Sequence, residues 1–507
     1  MKKEKIKTAG LVMTILSTIF GFANAPVAFD QMGYASIAWY ILAAILFFLP
    51  VSLMIAEYGA TFKEAKGGIY SWLAGSIGEK WAFIGTFIWL ASWFVWLLST
   101  SSKVWIPFST IFAGHDATQV WHFFSLTSTQ TIGLLAIAWI IAVTYFSSRG
   151  MDAVAKVSAV GGVFVISLDI IFILASLATL FLNHGQMEQT VTMHALTHSP
   201  NPSFSSPLAV MSFVVYAVFA YAGIESIGGM MDDIDQPEKT FPKGLLVATF
   251  LVTLSYALMI FLWGISTNWS EVLGKSNVNL GNITYVMMHN LGFQLGKAMG
   301  LSANTSLAIG AWLTRYTGLG MFISYVGAFF VLISSPLKAF VLGADPRLLP
   351  KKMTEVNKNG VPENAMWMQA AVVCVIIFLV SFGGSAAQKF YVILTNMSNV
   401  STTVPYLFLV GAFPFFKKRQ DIKRPFVAFK NQTFMNVIVT IVMVILIGGI
   451  AMTCLQPILD HDYATAFWTI IGPIFFGVVA LLFYNHQNKR LDTVKSNIKK
   501  AKLNTQN

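Results

Sequence analysis

The sequence predicts an all-α integral membrane protein with twelve transmembrane helices, arranged as two inverted repeats of five and two extra C-terminal helices. Three observations predict this fold: low charge, many long apolar runs and a one-sided distribution of Lys and Arg. Of the 507 residues, 56% are hydrophobic and only 11% are charged, whereas soluble domains carry about 25% charged residues. A helix needs about 20 apolar residues to cross a bilayer, and this chain has many such runs.

Twelve runs meet that length requirement, and we predict one membrane span in each. The predicted spans are 9–30, 36–59, 81–111, 129–147, 152–182, 207–231, 242–266, 306–337, 365–383, 388–413, 433–455 and 464–485. The segment 283–300 is apolar but interrupted, and we expect an amphipathic piece in a long outer loop. The chain is then one transmembrane domain, 1–507, divided into repeats 9–182 and 207–413, helices 433–485 and a basic tail, 486–507.

The basic residues predict the orientation of these spans. With the N-terminus inside, 28 of the 33 Lys and Arg fall on the inner side and two fall within spans. Only Lys275, Lys297 and Lys389 fall outside. Because basic residues concentrate in cytoplasmic loops, both termini are expected in the cytoplasm. This topology explains the net charge of +11 without a nucleic-acid partner, and the basic tail is expected to face anionic lipid.

The first predicted span has a second interpretation. Residues 1–25 have a basic start, a short apolar core and an Ala-Asn-Ala sequence, as a cleavable signal peptide does. Pro26 is a poor neighbour for cleavage, and removing the segment would leave eleven spans and disturb the charge distribution. We therefore expect this segment to remain as span 1.

Two spans are interrupted by polar or helix-breaking residues. Span 1 contains FGFANAP at 20–26, and span 6 contains VFAYAGIESIGGMMDDID at 218–235. Each opens a group of five spans, and the two groups enter the membrane from opposite sides. Discontinuous helices in corresponding positions of two inverted halves are typical of secondary transporters. The alternative is that the Gly and Pro residues form kinks that serve packing only.

The interruptions predict where a substrate would bind. A break exposes backbone N–H groups at the start of one half-helix and C=O groups at the end of the other. The N-terminal end carries about half a positive charge and suits a carboxylate, while free carbonyls suit an ammonium group. The two breaks therefore match the two ends of an α-amino acid. Gly21 would permit close approach, and Pro26 suits the first turn of the resumed helix.

Several stretches resemble the amino acid–polyamine–organocation (APC) superfamily of transporters. They are AEYGATFKEAKGGIYSW and the aromatic-rich helix after it (56–93), FAYAGIESIGGMMDDIDQPEKTFPKG (219–244) and ADPRLLPKKMTEVNKNGVPENAMWMQ (344–369). Within the superfamily the chain is similar to the glutamate/GABA antiporter group, and most of all to inner-membrane transporters that share FGFAN, GGIYSW and STNW. The resemblance implies the LeuT-like fold, with transport of amino acids or related amines by antiport or proton coupling.

The resemblance also implies substrate-binding residues. In relatives the first break reads Gly-Ser-Gly, whereas here Phe22, Ala23 and Asn24 follow Gly21, and Asn24 is the departure on which specificity could depend. In span 6, Phe219 matches an aromatic residue that caps the substrate, and the resemblance places Glu225 at a family glutamate. The further candidates implied for binding are Ala91, Ser92, Trp96, Ala220, Ala222 and Gly223.

Charged residues inside spans are functional candidates by default. We assign Glu225, Asp169, Lys103 and Arg315 to coupling or gating. Each has a structural alternative: Glu225 as a hydrogen-bond acceptor that joins the half-helices, and the two cations as side chains that reach the outer interface. Asp169 is too short to reach the interface and should face the bundle interior.

Span 10 is unusually polar, with Asn396 and Asn399 as candidates for the substrate pathway. Hydrogen bonding between helices is the alternative role of such residues. Cys374 and Cys454 lie inside apolar runs, and we expect no disulfide, metal or cofactor. The expected partners are a small amino acid or amine, the lipid bilayer and H⁺. The oligomeric state is left open.

Other functions agree less well with the sequence. A membrane enzyme should show a nucleophile elbow, a nucleotide loop or a metal-ligand set, and none of these motifs is present. A sensor derived from a transporter, or a channel, stays as the alternative, although a sensor would normally carry a folded soluble domain.

Overall fold

The computed structural model describes residues 5–65, 68–274, 278, 281–384, 400, 403–459 and 461–504, without the side chains of 229, 232, 456 and 489–504. These residues are helical almost throughout. The α-helices of nine or more residues are α1 Thr8–Ile19, α2 Asn24–Met32, α3 Ala35–Thr61, α4 Ile69–Ile77, α5 Glu79–Lys103, α6 Trp105–Ala113, α7 Ser128–Ser147, α8 Met151–Leu182, α9 Pro207–Phe219, α10 Pro237–Ser266, α11 Ile283–Ala298, α12 Ala303–Gly343, α13 Glu363–Phe382, α14 Val404–Lys418, α15 Gln432–Leu459 and α16 Tyr463–Asn504.

Ten helices of the described residues are long and apolar enough to cross a membrane. The pair α1 and α2, bent by 45° at the residues between them, makes an eleventh. The chain is therefore a multi-pass membrane protein. Most of the predicted span 388–413 lies outside the described residues, and α14 occupies its second half.

Two segments that were predicted to lie outside the spans are helical. The predicted outer-loop piece 283–300 contains the 16-residue helix α11, whose Met287, Met288 and Leu291 are fully buried. Gly292 and Gly296 let α11 pack against the backbone of α12 at Gly310 and Ser306. At the other end of the chain, α16 continues without a break from the last span into the predicted tail.

The helices around the first break approach each other closely through glycines. A Cβ atom built on Gly162 of α8 would lie 2.1 Å from the carbonyl oxygen of Met13 in α1. At the preceding residue, a Cβ on Gly161 would lie 3.2 Å from the Cα atom of Gly327 in α12. Because real Cβ atoms do not approach a carbonyl oxygen so closely, only glycine permits this crossing of α1, α8 and α12.

The chain before α1 is attached to the chain after the second break. Ile6 and Ile234 form a parallel β-bridge, in which the Ile6 N–H donates to Asp233 O and the Asp235 N–H donates to Ile6 O, both at 2.9 Å. The buried Lys338 of α12 forms an ion pair with Asp233 at 3.1 Å. These contacts hold the N-terminal segment, the second break and α12 together at one end of the bundle.

Candidate functional site

A cavity of about 410 Å³ lies where the two breaks meet α5, α8 and α12. Ten of the predicted site residues line it: Gly21, Phe22, Ala23, Asn24, Trp96, Phe219, Ala220, Ala222, Gly223 and Glu225. Trp93, Ser99, Ser324 and Tyr325 line it as well. The volume is within the range of about 300–1,000 Å³ that is common for small-molecule sites.

Backbone amides are exposed at the first break. The Phe20 N–H closes α1 by donating to Leu16 O at 2.9 Å, and the Asn24 N–H donates to Gly21 O at 2.8 Å. Between them, the amides of Phe22 and Ala23 have no hydrogen-bond partner among the described residues. The Phe22 ring packs edge-on against Phe172 and Trp263. The bulk that distinguishes this position from a Gly-Ser-Gly break is thus accommodated in the aromatic core.

Tyr256 of α10 joins the two breaks through one hydroxyl group. Its oxygen accepts from the Gly21 N–H at 3.1 Å and from Asn24 Nδ2 at 2.9 Å. The same hydroxyl donates to the carbonyl oxygen of Ala220 at 3.3 Å. Sequence reasoning missed this residue. The only signal was a lone tyrosine in the middle of a largely apolar span.

Asn24 is held at both ends of its side-chain amide. In addition to the bond to Tyr256, its Oδ1 accepts from the Tyr216 hydroxyl at 3.3 Å. Asn24 therefore lines the cavity with its side-chain amide already bonded to Tyr256 and Tyr216. A substrate that contacts Asn24 would bind it alongside these two tyrosines.

The second break is a tight turn that depends on glycine. Helix α9 ends at Phe219, and a 3₁₀ helix occupies Ile224–Asp233. Between them, Gly223 has a φ of 111°, a backbone conformation that strongly favours glycine. Its N–H donates to the Tyr406 hydroxyl at 2.8 Å and faces Glu225 Oε2 at 3.2 Å.

Glu225 is 1% exposed and is surrounded by donors. Trp89 Nε1 of α5 donates to its Oε1 at 2.8 Å. The Tyr406 hydroxyl of α14 and the Gly223 N–H donate to its Oε2. The carboxyl group thus connects α5, the second break and α14. Among the described side chains, no Lys or Arg forms an ion pair with it.

The remaining predicted site residues lie elsewhere. Ala91 and Ser92 are on α5 but do not line the cavity; the Ser92 hydroxyl donates to Trp89 O at 2.7 Å. Asp169 follows the lining residue Leu168 on α8 and is buried, with 8% of its surface exposed. Its Oδ1 has no partner in the described part of the chain.

Both predicted membrane cations lie away from the central cavity. Lys103 lines a separate pocket at the end of α5. Arg315 lies over the ring of Trp312, 5.7 Å from its centroid. Asn396 and Asn399 are outside the described residues.

Comparison with known proteins assigns this architecture to a family. A model of the amino acid permease family matches residues 6–482. The chain belongs to the amino acid permease family. This confirms the resemblance to the APC superfamily, and it makes the chain a transporter rather than an enzyme.

Named relatives cover nearly the whole chain. The inner membrane transporter YjeM of Salmonella typhimurium is 47% identical over 489 residues, which are 96% of this chain and 97% of that protein. The Escherichia coli transporter of the same name is 48% identical over the same length. A glutamate/gamma-aminobutyrate antiporter of Lactococcus lactis is 23% identical over 503 residues, 98% of this chain and 93% of that protein.

Proposed function

We propose that this permease moves amino acids or related amines across the cytoplasmic membrane as a secondary active transporter with alternating access. The observation that carries the proposal is the central cavity, which is bounded by both interrupted helices. Antiport or proton coupling is the proposed energy source, in line with the antiporters among the relatives.

The substrate carboxylate is proposed to bind at the first break. The amides of Phe22 and Ala23 lie there without partners among the described residues. They precede α2, whose N-terminal end favours negative charge. A carboxylate could accept from both amides while Tyr256 keeps its bond to Gly21.

The substrate ammonium group is proposed to bind at the second break. Helix α9 ends there, and its last carbonyl groups point past its C-terminal end. One of them, Ala220 O, already accepts from Tyr256 at 3.3 Å, so an ammonium group would compete with or extend this bond. Glu225 is one turn further on, and its carboxyl group adds negative charge to this side of the cavity.

The charge of the lining favours a particular substrate class. Among the described residues that line the cavity, Glu225 is the only charged side chain. A zwitterionic amino acid with an uncharged side chain therefore needs no further counter-ion, whereas a second carboxylate would meet no cation there. We infer that neutral amino acids or amines are preferred over dicarboxylic ones.

The topology and the coupling residues are parts of the same proposal. The LeuT-like inverted repeats, the cytoplasmic termini and roles for Asp169, Asn396 and Asn399 rest on the sequence pattern. The alternative function is a transporter-derived sensor or a channel without coupled transport.

Counterflow in proteoliposomes tests the function directly. The reconstituted protein is loaded with one unlabelled amino acid or amine at a time, and uptake of the labelled compound is measured with and without a pH or Na⁺ gradient. A carrier gives transient accumulation above equilibrium for its own substrates. Equilibration without overshoot would indicate a channel, and no uptake of any compound would refute the transporter proposal.

A further inference from the structure

A second cavity of about 260 Å³ lies at the C-terminal end of α5, between α5, α7, α13 and the loop 114–127. It shares no lining residue with the central cavity. We call it the Lys103 pocket, and its walls are Leu98, Ser102, Lys103, Ile106, Thr118, Gln119, Ser128, Thr129, Ile132, Ile377, Val380 and Ser381.

Lys103 is the one charged residue among the described residues that line this pocket. No carboxylate of the described chain forms an ion pair with it. Asp116, a carboxylate in the adjoining loop, does not line the pocket. Its Oδ1 accepts from both the N–H and the hydroxyl of Thr118, at 2.9 and 2.7 Å. The pocket therefore contains an uncompensated positive charge.

The rest of the polar lining consists of hydroxyl and amide groups. Ser128 and Thr129 form the first turn of α7, where helix N–H groups have no intrahelical acceptor. Thr127 and Gln130 form a capping box that satisfies the Gln130 and Thr127 N–H groups. The N–H groups of Ser128 and Thr129 have no hydrogen-bond partner among the described residues, and both residues line the same pocket as Lys103. A cation, hydroxyls and free amides together match a phosphate group.

Apolar groups form the other half of the pocket. Ile132 of α7 and Ile377 of α13 line it, and the same two helices expose large side chains outside it. Leu134, Phe378 and Leu379 are 40%, 48% and 56% exposed. A phosphate site that continues into an apolar surface suits a molecule with a charged head and a hydrocarbon tail.

The depth of the pocket agrees with such a molecule. Helix α5 rises by about 1.5 Å per residue, so Lys80 and Lys103 are about 35 Å apart along its axis. The hydrocarbon core of a bilayer is about 30 Å thick. With Lys80 at one membrane surface, Lys103 lies near the headgroups of the opposite leaflet.

We propose that the Lys103 pocket binds the phosphate of an anionic phospholipid whose acyl chain lies along α7 and α13. A free phosphate would satisfy the polar half of the pocket, but it would leave the apolar half without a partner. The site is independent of the substrate cavity and of the proposed transport activity.

Lipid-dependent stability of the full-length protein tests the proposal. Delipidated protein in detergent is titrated with phosphatidylglycerol, with phosphatidylcholine of the same acyl chains and with inorganic phosphate, and its melting temperature is followed. Phosphatidylglycerol should stabilise the wild type more than either alternative. Lys103→Gln should need about fivefold more phosphatidylglycerol for half of the effect, as expected for losing one cationic contact near the headgroups.

Matched variants distinguish lipid binding at this site from a general effect of surface charge. Arg315→Gln removes a cation that lies over Trp312 and does not line the pocket, so it should retain the wild-type titration. Lys103→Arg should retain most of the effect. If Lys103→Gln does not fold, Thr129→Val removes one hydroxyl at nearly constant volume and should weaken the response to phosphatidylglycerol.

Three outcomes would overturn the proposal. In the first, phosphatidylcholine stabilises the wild type as well as phosphatidylglycerol does. In the second, Arg315→Gln weakens the response to phosphatidylglycerol as much as Lys103→Gln does. The same conclusion follows if neither Lys103→Gln nor Thr129→Val changes that response. In the third, inorganic phosphate reproduces the whole effect in a Lys103-dependent manner, which would identify a free-anion site instead.

Discussion

Replacing Tyr256 with Phe removes a hydroxyl oxygen that hydrogen-bonds to backbone groups of both interrupted helices. Three hydrogen bonds are lost, those with the Gly21 N–H, Asn24 Nδ2 and Ala220 O. The ring and its packing against Phe20, 4.7 Å between centroids, are retained. The change therefore isolates the connection between the breaks from the packing of the core.

The magnitude follows from the surroundings of the three partners. A typical intramolecular hydrogen bond contributes about 1 kcal/mol net, and an unsatisfied buried group costs about 1–3 kcal/mol. Gly21 and Asn24 line the cavity, where water can replace the lost partner. We expect a loss of about 1–3 kcal/mol in stability. Exchange should slow by about tenfold or more, since 1.4 kcal/mol in the barrier corresponds to a factor of ten.

Two measurements and one control decide this prediction. Substrate exchange is measured in proteoliposomes with equal amounts of folded protein, and the melting temperature is measured in detergent. Tyr34→Phe is the control, because the Tyr34 hydroxyl donates only to Gln189 O, at 2.8 Å, and contacts neither break. The proposed connection between the breaks would be refuted if Tyr256→Phe exchanged substrate at the wild-type rate. It would also be refuted if Tyr34→Phe slowed exchange as much as Tyr256→Phe does.

Three further predictions concern buried groups elsewhere in the bundle. Glu225→Gln should abolish transport while the protein still folds, because the amide retains one acceptor oxygen but places its N–H groups against either the Trp89 or the Tyr406 donor. Gly162→Ala should lower stability by at least about 2 kcal/mol, because the new methyl would lie 2.1 Å from a carbonyl oxygen of α1. Lys417→Ala should cost up to about 3–5 kcal/mol, because the fully buried Glu57 loses its cation at 2.7 Å and keeps only the more distant Arg424, at 3.9 Å, and the Ala428 N–H.

Each of these predictions has its own check. For Glu225→Gln, reconstituted flux with wild-type rate and pH dependence would contradict a role in coupling; the exposed Glu271→Gln is the control. For Gly162→Ala, the control is Gly448→Ala, where an added Cβ meets no atom within 4 Å. Equal melting temperatures of these two variants would show that the close crossing is not required. For Lys417→Ala, the double variant with Glu57→Gln should recover part of the loss, and no recovery would argue against the ion pair.

The sequence alone was sufficient for the membrane class and for the positions of most spans. Apolar runs predict spans because the bilayer requires about 20 apolar residues for each helix, whatever the neighbouring helices are. The predicted spans 129–147 and 152–182 differ from α7 and α8 by one residue at most. The same local reasoning selected FGFANAP and the residues around Gly223, because glycine, asparagine and proline are conspicuous in apolar surroundings.

The composition of the cavity wall depended on the tertiary structure. On α5, the resemblance selected Ala91 and Ser92, but Trp93 and Ser99 face the cavity along with Trp96. A helix turns by about 100° per residue, so an error of one or two positions moves a side chain to another face. Sequence spacing alone does not establish which face of a wholly apolar helix points inward.

Tyr256 and Lys103 show the same division between local and tertiary information. The sequence determined that a hydroxyl and an ammonium group lie inside or at the end of apolar spans, where each needs a partner or a route to water. Only the packing decided that Tyr256 bridges two breaks more than 190 residues apart in the chain, and that Lys103 enters a pocket formed with α7 and α13. Hydrophobicity is a property of each segment, whereas these contacts depend on how the helices are rotated against one another.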